Sequence, residues 1–525
     1  MFYMALRTNA LPVPTHDHLS SIIAQKRFIS DNSDVNGGYI WNANNPQPHE
    51  PIENLTTAQV EYYFLSINKV NFVGNPPLFA NRSRSVVKNS DDPFYSQNGY
   101  PNPPVGGIFR GISQDGSLGT GNFLEITPSY FIVKNAITTS NLELAEKIAQ
   151  FIDWMTVDSS FFGTPIKLVA GIARFENGSW RKITDTVLLR NIAWAATAYY
   201  ELFSATFNTQ YRDKARNLLK TVALALNVNR NRVGLGEVPS FLAWAPPHAF
   251  VSHNSSHTLT WNRWTIEHMA AISLLLEKAI SLEGTQFQVQ DWQGNSVTLE
   301  QMASGLGSFV DAIFEYPYIM RDTNPNAPYL PYQFIFNQAW FQNPKYFVGV
   351  NFDWTEESGS LYSQSGWWIG DLELWGIWGM LILKRLGYTS SPVESFLWDW
   401  LRLPPGDYLW HDRYDFWGNH LDHDPSISTA FTALYGICLR EGFSPQPPPP
   451  RAKYQVQSGG ILTITTDKKS VIPIIRTPDG QVLQYSQIAP SPTTRGYVYR
   501  YELPSNLYYV ISEETFSTDF MTPAP

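Results

Sequence analysis

Cysteine is almost absent from this chain, because its 525 residues include only one, Cys438. A single thiol excludes an internal disulfide framework and a zinc site built from cysteines. Cys438 lies in an apolar helical pattern, which favours a buried and unreactive side chain.

An excess of positive charge is also missing, since the formal net charge at pH 7 is -9. A general nucleic-acid binder needs basic surface to neutralise phosphates, so the sequence excludes that class. No apolar run reaches the roughly 20 residues that a membrane span requires. Residues 1–7 lack the apolar segment of a secretory signal peptide. We therefore expect no membrane insertion and no export by the usual secretory route.

The common cofactor and nucleophile motifs are missing as well. The chain has no phosphate-binding glycine loop, no Gly-x-Ser-x-Gly elbow and no dinucleotide-binding glycine fingerprint. Gly234-Leu235-Gly236 lacks the strand and helix that would surround such a fingerprint. We predict no bound cofactor.

Helical periodicity dominates the middle of the chain. Apolar residues recur at helical spacing in five long segments, namely 185–203, 208–226, 264–282, 298–314 and 368–386. Ser140 to Glu143 form a capping box that predicts a further helix ending near Met155. Helices of this length predict antiparallel hairpins. Segment 368–386 is apolar on most sides and should be an inner helix, in which Gly376 and Gly379 allow close approach by neighbours.

The flanking segments follow other patterns. Short apolar runs at 62–67, 123–126 and 130–133 alternate with turns and predict strands. After a proline-rich stretch, alternation at 460–466 and further runs to residue 511 predict a compact β domain. The predicted organisation is an extended arm (1–50), a β-rich module (51–139), a helical domain (140–443), a polyproline linker (444–452) and a C-terminal β domain (453–525).

Tryptophan is abundant, with 18 residues, and many of them fall with acids and histidines between Asp353 and Asp424. Indole rings offer a flat apolar face and a polar edge, which suits sugars. The candidate sugar-binding tryptophans of this region are Trp354, Trp367, Trp410 and Trp417. Trp375 and Trp378 lie within the apolar helix and are predicted to be core.

Acids in the same region are candidate catalysts. Glycoside hydrolysis needs two carboxyl groups about 5 to 10 Å apart, one as an acid and one as a base or nucleophile. The candidate catalytic residues are Asp353, Glu356, Asp371, Asp412, Asp415 and His411. The alternative is structural, since Asp371 lies at a predicted helix start, where an acid complements the free amides.

A second group of candidates lies earlier in the chain. His253, His257, Arg263 and Trp264 are candidate substrate-binding residues, and Glu267-His268 follows them. In a polysaccharide lyase a histidine can act as base while an arginine neutralises a uronate carboxylate. The alternative is that these are ordinary polar loop residues and that Glu267-His268 opens a helix.

A metal site is not predicted. Suitable nitrogen and oxygen ligands are offered by His411, Asp412, His420, Asp422, His423 and Asp424. They lack both the helical histidine spacing of zinc sites and the acidic loop of calcium sites.

Helical hairpins with tryptophan-rich loops, such as Trp367-Trp368-Ile369-Gly370-Asp371 and residues 412–424, make residues 140–443 resemble the six-hairpin (α/α) toroid glycosidases and toroid polysaccharide lyases. The resemblance implies a mainly α fold, an (α/α) toroid of helical hairpins with flanking β structure. It also implies acids at the mouth of the ring and aromatic side chains that stack on sugars. The expected function is recognition of a polysaccharide, with hydrolysis or elimination as the reaction.

A subunit of a larger assembly is the second expectation. The arm, the missing secretion signal and the lone cysteine fit a virion or extracellular assembly, such as a phage tail carrying an enzyme for bacterial surface glycan. Other protein subunits would then contact the N-terminal arm and the C-terminal β domain. In the alternative function, the chain is a non-catalytic structural or receptor-binding subunit.

Overall fold

The computed structural model divides the chain into two compact units. The described residues of the first unit are 52–62, 65–66, 78–113, 116–119, 121–234, 243–253, 256–260, 263–290, 294–315, 353–357, 360–363, 368–369, 371–391, 393 and 414–415. Those of the second unit are 452–457, 461–466, 474–476, 482–484, 486–490, 497–502, 508–512 and 517–521. The predicted arm (1–50) and residues 444–451 of the predicted linker lie outside them.

Helices form most of the first unit. The described helices are α1 (Asn54–Tyr62), α2 (Phe79–Arg82), α3 (Pro93–Gln97), α4 (Ser129–Thr138), α5 (Leu142–Met155), α6 (Leu189–Thr206), α7 (Thr209–Gly234), α8 (Met269–Glu283), α9 (Leu299–Glu315) and α10 (Asp371–Arg385). In this described part no helix is both long enough and apolar enough to cross a membrane.

Short strands connect these helices. They are β1 (Ile52–Glu53), β2 (Gly111–Ile112), β3 (Leu124–Glu125), β4 (Thr156–Phe161), β5 (Thr164–Val169), β6 (Ile172–Glu176), β7 (Ser179–Ile183), β8 (Thr186–Leu188), β9 (Ala249–His253), β10 (Ser256–Leu259), β11 (Arg263–Thr265), β12 (Gln288–Gln290), β13 (Ser296–Thr298), β14 (Asp353–Glu357), β15 (Ser360–Ser363), β16 (Trp368–Ile369) and β17 (Tyr414–Asp415). The strands form small antiparallel sheets of two or three strands.

Inner and outer helices alternate along the chain. Helix α4 is joined to α5, and α6 to α7, by connections of two or three residues, so each pair is an antiparallel hairpin. The helices α4, α6, α8 and α10 pack on one another in succession, while α5, α7 and α9 pack outside them. This is the (α/α) arrangement that the hairpin pattern predicts.

Ion pairs show that the inner helices α4, α6 and α8 are parallel. Arg190 pairs with Glu267 at the start of α6 and α8, and Glu201 pairs with Lys278 eleven residues further along both. Lys134 of α4 also pairs with Glu201, at 2.9 Å. The N-terminal ends of these helices therefore lie at one end of the ring.

Glycine allows α10 to join this set. A Cβ atom on Gly376 would lie 2.3 Å from Ile266 Cδ1, and one on Gly379 would lie 2.2 Å from the carbonyl carbon of Met269. Gly376 meets Ile266 and Gly379 meets Met269, so the contacts advance in the same direction along both helices, and α8 and α10 are parallel. The predicted close approach at both glycines is confirmed.

An aromatic cluster fills the centre of the ring. Tyr130 of α4 stacks on Trp194 of α6 with centroids 5.1 Å apart, and Trp194 lies 5.9 Å from Trp378 of α10. Trp375 and Trp378 are buried, as predicted. Because the centre is packed with side chains, a ligand site on the ring axis has to lie at an end.

Each inner helix is entered from a short strand. Strand β3 precedes α4, β8 precedes α6, β11 precedes α8 and β16 precedes α10. Since the four helices are parallel, these strands share one end of the ring, which we call the strand-bearing end.

The second unit is built from strands. They are β18 (Ala452–Gln457), β19 (Ile461–Thr466), β20 (Ile474–Arg476), β21 (Val482–Leu483), β22 (Gln487–Pro490), β23 (Tyr497–Glu502), β24 (Tyr508–Ser512) and β25 (Ser517–Met521). They form one antiparallel sheet in the order β18-β19-β23-β22 and another in the order β21-β20-β24-β25. The predicted strands at 460–466 and from 497 onward are confirmed.

Two strand predictions are wrong. Tyr62 ends helix α1, and residues 130–133 lie in helix α4. A short run of aromatic and β-branched residues that is buried on all sides has no periodicity to separate helix from strand. The region predicted as a β-rich module over 51–139 thus supplies an inner helix, and no division between compact units falls at residue 139.

The predicted capping box is also corrected by one residue. The N-cap of α5 is Asn141, whose Oδ1 accepts a hydrogen bond from the Leu144 amide at 3.2 Å. Ser140 has a φ of 59°, and Glu143 pairs with Lys147. The amide side chain takes the capping role because asparagine caps as well as serine does.

Gly379→Ala should destabilise the first unit by about 2 kcal/mol in chemical unfolding, because the added methyl overlaps backbone atoms of α8. This overlap outweighs the helix propensity that alanine gains, which is about 1 kcal/mol. Gly119→Ala is the matched control, since its nearest contact would be 3.8 Å away. Equal stability of the two variants would contradict the close packing.

Glu61 gives a pH-dependent prediction. Its carboxylate is 8% exposed and accepts a hydrogen bond from the Phe79 amide at 2.7 Å. Burial raises its pKa to about 7, against the lowering effects of that hydrogen bond and of Arg82. A raised pKa means that the folded state loses stability as pH rises from the unfolded pKa towards 7.

Glu61→Gln should therefore raise the free energy of unfolding at pH 8, by on the order of 3 kcal/mol, and change it little at pH 4. Unfolding curves across this pH range measure the difference. Glu176→Gln, at an exposed position, is the control and should leave the pH dependence unchanged. A constant difference at all pH values would refute the assignment to Glu61.

Candidate functional site

Charged and polar side chains converge at the strand-bearing end, where α6 and α8 begin. Arg190 is the second residue of α6, and Glu267 and His268 lie between β11 and α8. Thr265 holds this turn, because its amide donates to the Pro246 carbonyl at 3.0 Å and its hydroxyl accepts from the Glu267 amide at 3.2 Å. The same contact brings His248, two residues after Pro246, to the site.

An ion pair joins the two helix ends. Arg190 Nη1 lies 3.1 Å from Glu267 Oε1, and the two side chains are 15% and 10% exposed. The guanidinium also lies over the ring of Trp375, at 5.9 Å from its centre. The positive charge stabilises Glu267 as a carboxylate in a place that is largely removed from water.

His268 is a buried neutral imidazole. Its Nε2 donates to the His248 carbonyl oxygen at 2.6 Å, which assigns the lone pair to Nδ1. That Nδ1 lies 3.4 Å from Glu267 Oε1. Burial lowers the pKa of His268 to about 3, outweighing the raising effect of Glu267. His268 therefore stays neutral at physiological pH, held by the His248 carbonyl oxygen, and its buried Nδ1 makes no hydrogen bond within the described part of the chain.

His248 is the more accessible imidazole. It is half-buried, and its ring stacks on that of His268 with centroids 5.8 Å apart and an interplanar angle of 17°. A half-buried imidazole beside a carboxylate has the position of a general base or acid.

The donor atoms of His248, Glu267 and His268 lie within 4.8 Å of one another. Two imidazoles and a carboxylate are ligand types that zinc accepts. Here the Arg190 guanidinium already pairs with the Glu267 carboxylate, and its positive charge opposes a cation at the same oxygen. The electrostatics thus favour acid–base chemistry over metal binding.

Glu125 of β3 is a second acid at this end of the ring, within electrostatic range of Arg190. Burial raises the pKa of its carboxyl group, against the lowering effects of a hydrogen bond with Thr127 and of the charges on Arg110 and Arg190. Glu125 thus holds its proton to higher pH than an exposed glutamate. A carboxyl group with a raised pKa suits the role of a proton donor, and Glu267 beside Arg190 is the other acid at this end of the ring.

Strand pairing and helix position place the backbones of several predicted catalytic acids at the same end of the ring. Asp353 of β14 pairs with Thr265 of β11, two residues before Glu267. Asp371 is the first residue of α10, and Asp415 pairs with Trp368 of β16, which leads into that helix. Asp353, Asp371 and Asp415 therefore share the strand-bearing end.

The strand pairing places other predicted residues beside them. Arg263 pairs with Thr355 and Trp264 pairs with Trp354, both between β11 and β14. Glu356 pairs with Leu361 in the next strand. His411, Asp412, Trp367, Trp410 and Trp417 lie outside the described residues, so their assignment stays a prediction.

The two histidines predicted from the β9–β10 hairpin differ from each other. His257 Nδ1 lies 2.8 Å from Ser159 Oγ, and its Nε2 lies 2.9 Å from the Thr184 carbonyl oxygen. Both ring nitrogens are thus engaged by neighbouring strands. His253 is exposed and pairs with Ser256 at the hairpin end. Their predicted role in substrate binding stays a prediction.

Three members of the cluster were not singled out from the sequence. Arg190 interrupts an apolar helix start, and a charged residue in such a place is a sequence signal for a polar site. His248 follows two prolines and Glu125 belongs to a two-residue strand. Neither residue belongs to a recognisable sequence motif, because only the fold brings it to the same end of the ring as Glu267.

The fold is shared with known sugar enzymes. A D-mannose isomerase has a TM-score of 0.50 and 10% identity, with 82% of this chain and 100% of that chain covered. The glycoside hydrolase family 76 mannosidase Bt3792 of Bacteroides thetaiotaomicron VPI-5482 has a TM-score of 0.50 and 10% identity, covering 81% and 99%. Cellobiose 2-epimerase of Bacillus thermoamylovorans B4167 has a TM-score of 0.50 and 11% identity, with 80% of this chain and 99% of that chain covered.

These similarities confirm the predicted fold: the first unit is an (α/α) toroid. At identities of this size they show the fold alone. No protein-family model and no curated protein sequence matches the chain.

Arg190→Met should lower the free energy of unfolding by about 3 kcal/mol, because it leaves the Glu267 carboxylate buried without its partner. Adding Glu267→Gln to that variant should restore much of the loss. Arg385→Met is the control, since its pair with Glu277 is more exposed and should cost under about 1 kcal/mol. Additive losses in the double variant would argue against the ion pair.

Proposed function

We propose that the chain is a carbohydrate-active enzyme that binds a polysaccharide at the strand-bearing end of the toroid. The observation that carries this proposal is the cluster of Arg190, Glu267, His268 and His248, with Glu125 beside it. Such a cluster combines an ionised carboxylate, a carboxyl group with a raised pKa and a half-buried imidazole. Those are the groups that acid–base chemistry on a sugar requires.

Hydrolysis is the reaction that this pair of acids supports best. Glu125 would donate a proton to the leaving glycosidic oxygen, and Glu267, kept ionised by Arg190, would act as base or nucleophile. Asp353 and Asp371 remain candidates for the same roles, since their backbones reach the same end. The fold shared with a mannosidase is compatible with this chemistry.

Proton transfer at a sugar carbon is the second candidate. The stacked pair His248 and His268 favours it, because a neutral imidazole can remove a proton next to a carbonyl or carboxylate group. Arg190 would then stabilise the negative charge that develops. Elimination in a polysaccharide lyase follows this course, and so does the isomerisation of a free sugar, which two of the similar structures are named for.

The wider setting rests on the sequence. We propose that the glycan belongs to a bacterial surface and that the chain is carried on a larger assembly such as a phage tail. The asparagine- and proline-rich segment 1–50 and the second unit are the proposed contacts to other subunits. The alternative is a non-catalytic receptor-binding subunit with the same fold.

Glu267→Gln should lower turnover of a cleaved glycan at least about 100-fold while glycan binding persists. Because it also leaves Arg190 without its charged partner, it should lower the thermal stability, so turnover is measured at a temperature at which the variant is folded. The assay incubates native protein with a panel of bacterial surface polysaccharides and small sugars. Reducing ends report hydrolysis, absorbance of unsaturated uronate reports elimination, and chromatography of free sugars reports isomerisation.

Glu143→Gln is the matched control, because Glu143 lies on the outer helix α5 with a side chain that is 79% exposed, and it should leave turnover unchanged. Binding without any product across the panel would favour the receptor-binding alternative. Full activity of Glu267→Gln would remove this cluster from the proposal and return Asp353 and Asp371 to first place.

A further inference from the structure

A separate pocket lies beside the outer helix α5. Its volume is about 510 Å³, and aromatic rings form much of its wall, namely Trp154, Phe175 and Trp180. Gln150, Asn102 and Ser179 supply polar groups at its edge. The polar cluster at the strand-bearing end, namely Arg190, His248, Glu267 and His268 with Glu125, is called the central cluster below, and none of its residues lines the pocket.

The wall of this pocket is fixed by the surrounding fold. Trp180 Nε1 donates to the Pro101 carbonyl oxygen at 3.1 Å, and its ring lies 5.5 Å from that of Phe175 and 6.0 Å from that of Tyr100. Trp154 stacks beside Phe151 of the same helix. Because these contacts hold the rings in place before a ligand arrives, binding costs little ordering.

The chemistry of the lining indicates the ligand class. Its aromatic rings offer apolar faces, and the amide and hydroxyl groups at the edge offer hydrogen-bond donors and acceptors. The residues that line the pocket carry no formal charge. Lys182 Nζ lies over the Trp154 ring, 5.2 Å from its centre, and donates to the Thr156 carbonyl oxygen at 3.2 Å. This combination suits a neutral sugar unit, and the lining residues supply no acid for cleavage.

The sheet that carries the pocket wall also carries Glu125. In the sheet β3-β6-β7, Glu125 pairs with Ile172, and Phe175 pairs with Trp180. Phe175 lies three residues beyond Ile172 on the same strand, a distance of about 10 Å. Because side chains alternate between the two faces of a strand, Phe175 and Trp180 lie on the opposite face of this sheet from Glu125, so the pocket is a site separate from that acid.

We propose that this pocket is a second, non-catalytic binding site for a neutral sugar unit of a glycan chain. The identity of the glycan rests on the proposed function, whereas the pocket itself does not. Such a site raises affinity for a long chain without taking part in bond cleavage.

The test measures binding of cellotetraose and mannotetraose by titration calorimetry. Trp154→Ala should weaken binding of a tetrasaccharide about tenfold or more, because a buried aromatic contact is lost. Gln150→Arg places a long side chain at the pocket edge from an exposed helix position and should weaken binding as well. This second variant keeps the test decisive if Trp154→Ala unfolds.

Phe207→Gly is the matched control. It removes an exposed aromatic ring far from the pocket, at the other end of α6, and glycine tolerates its φ of 57°. This variant should bind like the native chain. Unchanged affinity in both pocket variants, or no binding of either tetrasaccharide to the native chain, would overturn the inference.

Glu267→Gln separates the two proposals. Binding that depends on Trp154 and persists in Glu267→Gln supports the pocket, even where no glycan is turned over. Turnover that is lost in Glu267→Gln but is unaffected by both pocket variants, at subsaturating glycan, supports the central cluster alone.

Discussion

The ion pair of Arg190 with Glu267 is the contact on which the organisation of the strand-bearing end depends. It joins the first turns of two parallel inner helices and fixes a carboxylate within 3.4 Å of a buried imidazole. A carboxylate in such a place is unstable without a cation, so the arginine keeps it ionised. The same pair therefore serves the packing of α6 on α8 and the acid–base role that we propose for Glu267.

The packed interior of the ring explains why the proposed site lies at its end. Tyr130, Trp194 and Trp378 fill the centre, and Gly376 and Gly379 bring α10 into backbone contact with α8. This close packing leaves the helix N-terminal ends as the place where polar side chains from several helices meet. Strands such as β3 and β11 then add residues from the connecting loops, including Glu125.

Much of the fold could be predicted from the sequence, because long amphipathic and apolar helices have a clear period. Helices α6, α8, α9 and α10 lie close to their predicted bounds, α7 (Thr209–Gly234) extends eight residues beyond its predicted end at residue 226, and Trp375 and Trp378 are core as expected. Helix α4 was mistaken for a strand, since its buried aromatic and β-branched run has no polar face. The site was harder, because Arg190, His248 and Glu267 are distant in sequence and meet only through helix packing and the Thr265 contact with Pro246. Glu267-His268 could be recognised as unusual, but its partners could not.

A structure of the Glu267→Gln variant with a bound oligosaccharide substrate tests the central claim most directly. The account predicts a sugar unit within hydrogen-bond distance of His248 and of the substituted residue 267, at the N-terminal ends of α6 and α8. A substrate whose reacting unit lies elsewhere, with no contact to His248, Arg190 or residue 267, would contradict it.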